Sequence, residues 1–307
     1  LYGGIFNYRN FANRNYLALF TNSGGIATPF NPALDSYVYD LAKNNTNLFV
    51  AGIFDNDNST GKPGLCSFKL STGALNNWSA NLSYNSSSSQ ADCYSVAAND
   101  SMVYVGGNFD KSGTTVRHFA AKFKSSNAAL QPWDPQLNTY PVTIALNNND
   151  LIMGGNFLYE KYYARNYLAA LSLTTGFANT WNPSPDSYVY GIALNYNKIF
   201  AVGLFDNVAG LQHDGAAAFN LSSGALLTWN PQLSKNGTPY SADLYAVAAD
   251  SNNVYLGGSF DMAKGTARNN IAQVRASNAS LVSWDPSAKN IVRFIATNNS
   301  NILFGGD

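Results

Sequence analysis

Short apolar runs separated by polar turns follow one another along the whole chain, and residues 93–135 show one full period of the pattern. CYSVAA (93–98) is apolar with small residues, suited to an inner strand. MVYVGGNFD (102–110) is β-branched and aromatic, the composition of a buried, pleated strand. HFAAKFK (118–124) mixes aromatic and small residues, and LQPWDP (130–135) closes the period with prolines that confine it to an edge. Asn99-Asp100, Lys111-Ser112-Gly113 and Ser125-Ser126-Asn127 mark the turns. No window holds apolar residues at i, i+3, i+4 and i+7 over three turns, so a helical solenoid is excluded.

The phrase YVGGNFD (104–110) returns as LYGGIFN (1–7), FVAGIFD (49–55), IMGGNFL (152–158), FAVGLFD (200–206) and YLGGSFD (255–261), and LFGGD (303–307) begins a further copy. Aligned on the glycines, the copies are spaced by 48, 55, 48, 48, 55 and 48 residues. The glycines suit a bulge or a close backbone approach. Four strand-like segments at this period are the mark of a propeller blade. Residues 151 apart correspond: Asp35 with Asp186, Trp78 with Trp229, Arg117 with Arg268, and DSYVY occurs identically at 35–39 and 186–190. The expected fold is all-β, a single domain over 1–307. It is a six-bladed β-propeller of four-stranded antiparallel blades, with pseudo-two-fold halves at 1–151 and 152–307. The surplus copy of the motif leaves seven blades, in a chain cut from a longer array, as the alternative.

Charge changes the picture by its scarcity. Only 12% of the 307 residues are charged, against roughly 25% in a typical globular protein. The 18 basic and 18 acidic residues cancel, so no nucleic-acid partner is expected. No apolar run is long enough for a membrane span. An uncharged polar surface points to an extracellular or cell-surface location, and Asn-x-Ser/Thr sequons at Asn58, Asn81, Asn85, Asn220, Asn236 and Asn278 are possible glycosylation sites.

Within each unit, Asp55, Asp110, Asp206 and Asp261 are followed seven residues later by Lys62, Arg117, His213 and Arg268. That interval across a turn predicts a charge-assisted pair pinning a hairpin. Tryptophans at 78, 133, 181, 229 and 284 are expected to fill the wedge between blades. Asp55 and Asp57 make a weak calcium candidate without the glycine and glutamate of an EF-hand loop. Cys66 and Cys93 fall on segments expected to face each other, leaving a disulfide or two buried thiols open. No nucleophile, phosphate-loop or zinc-protease motif occurs, and Glu160 is the only glutamate. No catalytic residue, metal or cofactor is therefore assigned, and the chain is not expected to be an enzyme.

Two stretches, 79–92 and 230–243, absorb the longer spacing, and loops on a rigid scaffold carry recognition. Tyr84, Tyr94, Tyr240 and Tyr245 lie near them, and Tyr37, Tyr39, Tyr188 and Tyr190 occupy the corresponding places of other units. A surface rich in Tyr, Ser and Asn has the composition of a binding face.

The unit N-x-V-Y-V-G-G-x-F-D-x-x-x-G-x-x-R-x-x-x-A followed by W-D-P resembles the delta-60 type repeat of bacterial surface and secreted proteins. It is also similar to the propeller repeats of fungal cortical cell-polarity markers. The resemblance runs the length of the chain and implies surface display, adhesion or assembly. The expected function is a non-catalytic extracellular scaffold binding a protein or glycan at one face, with self-assembly possible. A carbohydrate-binding lectin is the alternative, and a hydrolase or lyase on the same fold comes third.

Overall fold

The computed structural model describes residues 15–19, 28–55, 61–84, 91–147, 149–161, 163–195, 197–237, 242–297 and 301–307, with strand backbone also at 2–3, 8–9, 12–13 and 238–239. All regular structure among these residues is β, and the strand pairs are antiparallel. The chain divides into two compact units, residues 1–146 with 174–177 and residues 147–173 with 178–307.

In the first unit, Val38–Lys43, Asn47–Gly52 and Leu65–Lys69 form one sheet, and Asp92–Ala98, Met102–Asn108 and Ala120–Lys124 form another. In the second, Val189–Asn195, Lys198–Gly203 and Ala216–Asn220 repeat the pattern, as do Asp243–Ala249, Asn253–Ser259 and Ile271–Arg275. The central strand carries the glycine motif in each case. Its burial on both faces accounts for the continuous apolar run rather than an alternating one.

The second motif glycine has a steric reason. The first strand bulges in register after its first residues, for example between Val38 and Asp40 and between Leu244 and Ala246. The bulge drives a carbonyl oxygen into the space a side chain would need. A Cβ on Gly107 would collide with the Asp92 carbonyl, and one on Gly258 with that of Asp243.

The fourth strand of the expected blade is largely absent. It survives as one bridge per repeat, Phe68↔Leu75, Phe123↔Leu130, Phe219↔Leu226 and Val274↔Leu281 among them. Proline after the tryptophan removes a donor, so the segment cannot extend a ladder. The tryptophans hold it instead. Trp78 Nε1 donates to the Lys124 carbonyl at 3.1 Å, Trp181 to Gly224 at 2.7 Å and Trp229 to Arg275 at 2.9 Å. Each acceptor belongs to the following repeat, and Phe49 and Phe123 flank Trp78 edge-on at 5.4 and 5.8 Å. The tryptophans are wedge residues, as their recurrence predicts.

The Asp–cation pairing is corrected. The two positions do meet, but through main chain: Arg117 N–H donates to Asp110 O, and Arg268 N–H to Asp261 O, both at 2.8 Å. Their side chains turn away, towards the fourth segment. Arg117 Nη1 donates to Val116 O and Nη2 to Gln131 O, both at 2.7 Å. Arg165 grips Ala164 and Asn179 at 2.8 and 2.9 Å, and Arg268 grips Ala267 and Val282 at 2.7 and 3.0 Å. Lys62 Nζ reaches the Asn76 carbonyl. The acceptor is fourteen residues on each time, on the segment that has lost its ladder partner. The guanidinium satisfies carbonyls that proline-rich backbone leaves over.

Of the two readings left open for the cysteines, the structure shows Cys66 and Cys93 as buried thiols not joined by a disulfide. Strand alternation separates them. Leu65 shares an apolar cluster with Cys93 and Val105, whereas Cys66 faces the other way with Leu48, Val50 and Phe68.

The long stretches 79–92 and 230–243 are partly built into sheets. Leu82–Ser83 pairs with Lys111–Ser112, and Leu233–Lys235 with Met262–Ala263. These pairings replace a side-chain contact found in the shorter repeats. There the motif aspartate's amide donates to a carboxylate, Asp55 N to Asp35 Oδ1 and Asp206 N to Asp186 Oδ1, both at 3.0 Å. In the longer repeats the same amide finds a carbonyl, Asp110 N to Ser83 O and Asp261 N to Ser234 O, again at 3.0 Å. The duplicated aspartate of DSYVY thus fastens one repeat to the next.

Glu160 breaks the pattern within the second unit. It lies in the Tyr159–Glu160/Tyr163–Ala164 hairpin at 0% exposure, where other repeats place Ser112, Val208 and Ala263. Neither carboxylate oxygen has a donor in hydrogen-bond geometry. Burial raises its pKa, against the pull of the nearby Ala178 amide and the Arg165 and Lys161 charges. A carboxyl with a raised folded pKa holds its proton more tightly than in the unfolded chain. Stability therefore falls as pH climbs past the unfolded value. Glu160→Val should stabilise the protein by about 1–3 kcal/mol at pH 7, with the gain shrinking towards pH 4. Urea titrations at both pH values check this.

Candidate functional site

Two rows of tyrosines occupy the beginnings of first strands, one row in each unit. In the first unit, Tyr39 meets Tyr94 at 5.6 Å between ring centroids and Tyr94 meets Tyr140 at 5.1 Å. Tyr37 packs edge-on against Tyr16 at 5.7 Å. In the second, Tyr188 meets Tyr190 at 6.2 Å and Tyr190 meets Tyr245 at 5.6 Å, with Tyr167 behind Tyr188 at 5.5 Å. The Arg293 guanidinium lies 4.9 Å from the Tyr245 ring and is held by Asp307 through Nε–Oδ1 and Nη2–Oδ2 contacts of 2.9 and 3.0 Å.

The local chain dictates this placement. The first strand bulges at its start, and Tyr39, Tyr94, Tyr190 and Tyr245 are themselves the extra residues that the pairing register skips. One edge of each ring is held by its neighbours while the rest remains open; Tyr39 is 49% exposed. Carboxylates stand beside them. Tyr94 Oη donates to Asp92 Oδ2 at 3.3 Å. Burial first, and the Asp92 charge second, raise the pKa of both Tyr39 and Tyr94. For Tyr245 burial and then Asp243 do the same. The hydroxyls therefore stay protonated at neutral pH, as donors rather than anions.

Asp40 lies next in the chain to Tyr39 and reaches the neighbouring first strand. Its Oδ2 accepts from the Val96 amide at 2.9 Å and its Oδ1 from Leu41 at 2.8 Å. Desolvation outweighs these bonds and lifts its pKa to about 6.

Five of the eight tyrosines expected at a binding surface stand in the rows, Tyr39 and Tyr94 in one and Tyr188, Tyr190 and Tyr245 in the other, while Tyr37 packs against Tyr16. Tyr84 is half-buried beside Leu82–Ser83 and has no ring contact to a row among the described residues. Tyr240 lies outside the described residues, as do Asp57, Asn58 and Asn85. Asp55 is exposed and engaged at its amide by Asp35. Among the described residues no three His, Cys, Asp or Glu side chains gather as metal ligands. Of the sequons, Asn81, Asn236 and Asn278 are exposed, and Asn220 is half-buried with Oδ1 accepting from Ser222 and Ser223. Among the described residues no helix is long and apolar enough to cross a membrane.

Tyr140 and Arg293 were missed in the sequence although both stand at a readable interval. Tyr140 precedes Tyr188 by 48 residues and Arg293 follows Tyr245 by 48. Asp92 also recurs, as Asp243 at the 151-residue offset, whereas Asp40 gave no such signal because Gly191 stands at the corresponding place.

No protein-family model matches the chain, and no curated protein does. Among solved structures, the computationally designed Ika8 protein aligns with a TM-score of 0.43 at 11% identity, covering 89% of this chain and 95% of its own.

Proposed function

We propose that the chain is a non-catalytic binding or assembly scaffold of an extracellular or cell-surface protein, a six-bladed β-propeller whose tyrosine rows take a protein or glycan partner. The tyrosine rows carry this reading. Half-open rings on stiff strands lose little entropy on binding, and protonated hydroxyls beside Asp92 and Asp243 offer donors and acceptors together. Six first strands and six third strands among the described residues favour six blades over seven. Exposed sequons at Asn81, Asn236 and Asn278 suit a glycoprotein.

The test pairs Tyr39→Ala/Tyr94→Ala with Tyr190→Ala/Tyr245→Ala and reads both on an array of neutral and acidic oligosaccharides and on immobilised cell-surface proteins. At least a tenfold loss of whichever signal the parent gives is expected, with the far-UV spectrum unchanged. Full retention by both variants would remove the rows from the reading.

A further inference from the structure

The 151-residue correspondence between the two halves breaks down around one cavity of the second unit. Gln212, Asp214 and Asn230 stand where the first half has Gly61, Pro63 and Ser79, whereas Leu233 and Ser234 repeat Leu82 and Ser83. These five residues of the second half, with Gln232, line a cavity of about 340 Å³. That volume is near the lower bound of small-molecule pockets, roughly 300–1,000 Å³. Among the described residues no tyrosine of either row belongs to its lining.

Asp214 is the centre of the group. Its backbone is left-handed, with φ at 46°, a conformation that His118, Asn166 and Asn269 at the same place of other repeats do not share. The side chain is left 7% exposed, and its Oδ1 accepts from Gln212 Nε2 at 3.0 Å. Asn230 Nδ2 donates to the Gln212 carbonyl at 3.4 Å, and its Oδ1 accepts from the Gln232 amide at 2.7 Å. Burial first and the Asp206 charge second push the Asp214 pKa up to about 6, against a hydrogen bond with Asn230. The bonds from its protein neighbours thus fall short of what burial takes away.

The lining selects the ligand. Among the described residues no Lys, Arg or His belongs to it, so an anion would find no counter-charge. A single carboxylate falls well short of the oxygen set that a hard cation requires. Primary amides both donate and accept, and a carboxylate accepts through two oxygens. Adjacent neutral hydroxyls meet that set, since one can donate to Asp214 while the next exchanges bonds with an amide. We propose that the cavity binds one neutral sugar ring, with Asp214 accepting from its hydroxyls and the Gln212, Asn230 and Gln232 amides fixing its orientation. The site is separate from the tyrosine rows and does not depend on what they bind.

The experiment is saturation-transfer NMR on the whole chain with methyl α-mannopyranoside, methyl β-galactopyranoside and methyl β-glucopyranoside, in the presence of EDTA. At least one glycoside should show transfer, and Asp214→Asn and Gln212→Ala should each weaken its binding at least tenfold. Gln212 is exposed, so its variant should keep the far-UV spectrum of the parent. No transfer from any of the three sugars, or undiminished binding by either variant, would overturn the proposal. Binding that appears only when calcium replaces EDTA would overturn it in favour of a cation site. Loss of the signal in Tyr190→Ala/Tyr245→Ala, with both cavity variants unaffected, would overturn it and assign the sugar to the rows.

Discussion

Trp229→Ala should lower the unfolding free energy by about 3–5 kcal/mol, the usual cost of deleting a large buried aromatic. Trp229 is buried against Phe200 at 5.1 Å, in a cluster with Leu233, Val254, Leu256 and Val274. Its indole also donates to the Arg275 carbonyl. The substitution therefore opens a cavity and strips a fastening between consecutive repeats. Trp229→Phe separates the two effects, because it keeps most of the apolar volume and loses only the donor, for a cost of about 1 kcal/mol. Denaturant midpoints from circular dichroism distinguish them. Equal losses for the two variants would mean that the bond, not the volume, holds the wedge.

The guanidinium clamp gives the second large effect. Arg117→Met should cost about 2–4 kcal/mol, since two charge-assisted bonds disappear and the Gln131 carbonyl loses its partner. Burial lowers the pKa of Arg117, with the Asp134 charge opposing. The site thus bears a desolvation cost that the two bonds offset. Arg117→Lys should recover part of the loss, because repeat position 62 already runs on a lysine gripping the equivalent carbonyl of Asn76. If the lysine variant is no better than the methionine one, the two-pronged geometry rather than charge accounts for the clamp. Thermal melts of the three proteins side by side decide this.

Much of the fold was legible because it is written several times. The 48- and 55-residue intervals identify the strands, their antiparallel order and the wedge tryptophans, and the double glycine foretells the bulge. What spacing cannot specify is which atoms meet. An interval of seven correctly brings Asp110 opposite Arg117, yet the contact is between backbones, and the guanidinium goes to a carbonyl that no sequence pattern marks. Cys66 and Cys93 lie on neighbouring elements but on opposite faces, a distinction that rests on one residue of register. The fourth strand was overestimated because apolar residues before a proline resemble a strand while lacking the donors to pair as one. At the candidate site the recurring tyrosines were readable. Asp40 was not, since it is peculiar to one repeat, whereas Asp92 returns as Asp243 at the 151-residue offset and could have been read.

The amide of the motif aspartate donates to either of two fasteners, a carboxylate of Asp35 or Asp186 or a main-chain oxygen of Ser83 or Ser234. Loop length and side-chain identity are thereby exchangeable parts. Wherever the short form now stands, an excursion could be grafted in and the aspartate released without loosening the joint. A molecule assembled this way can diversify its outer surface one module at a time while the framework beneath stays put.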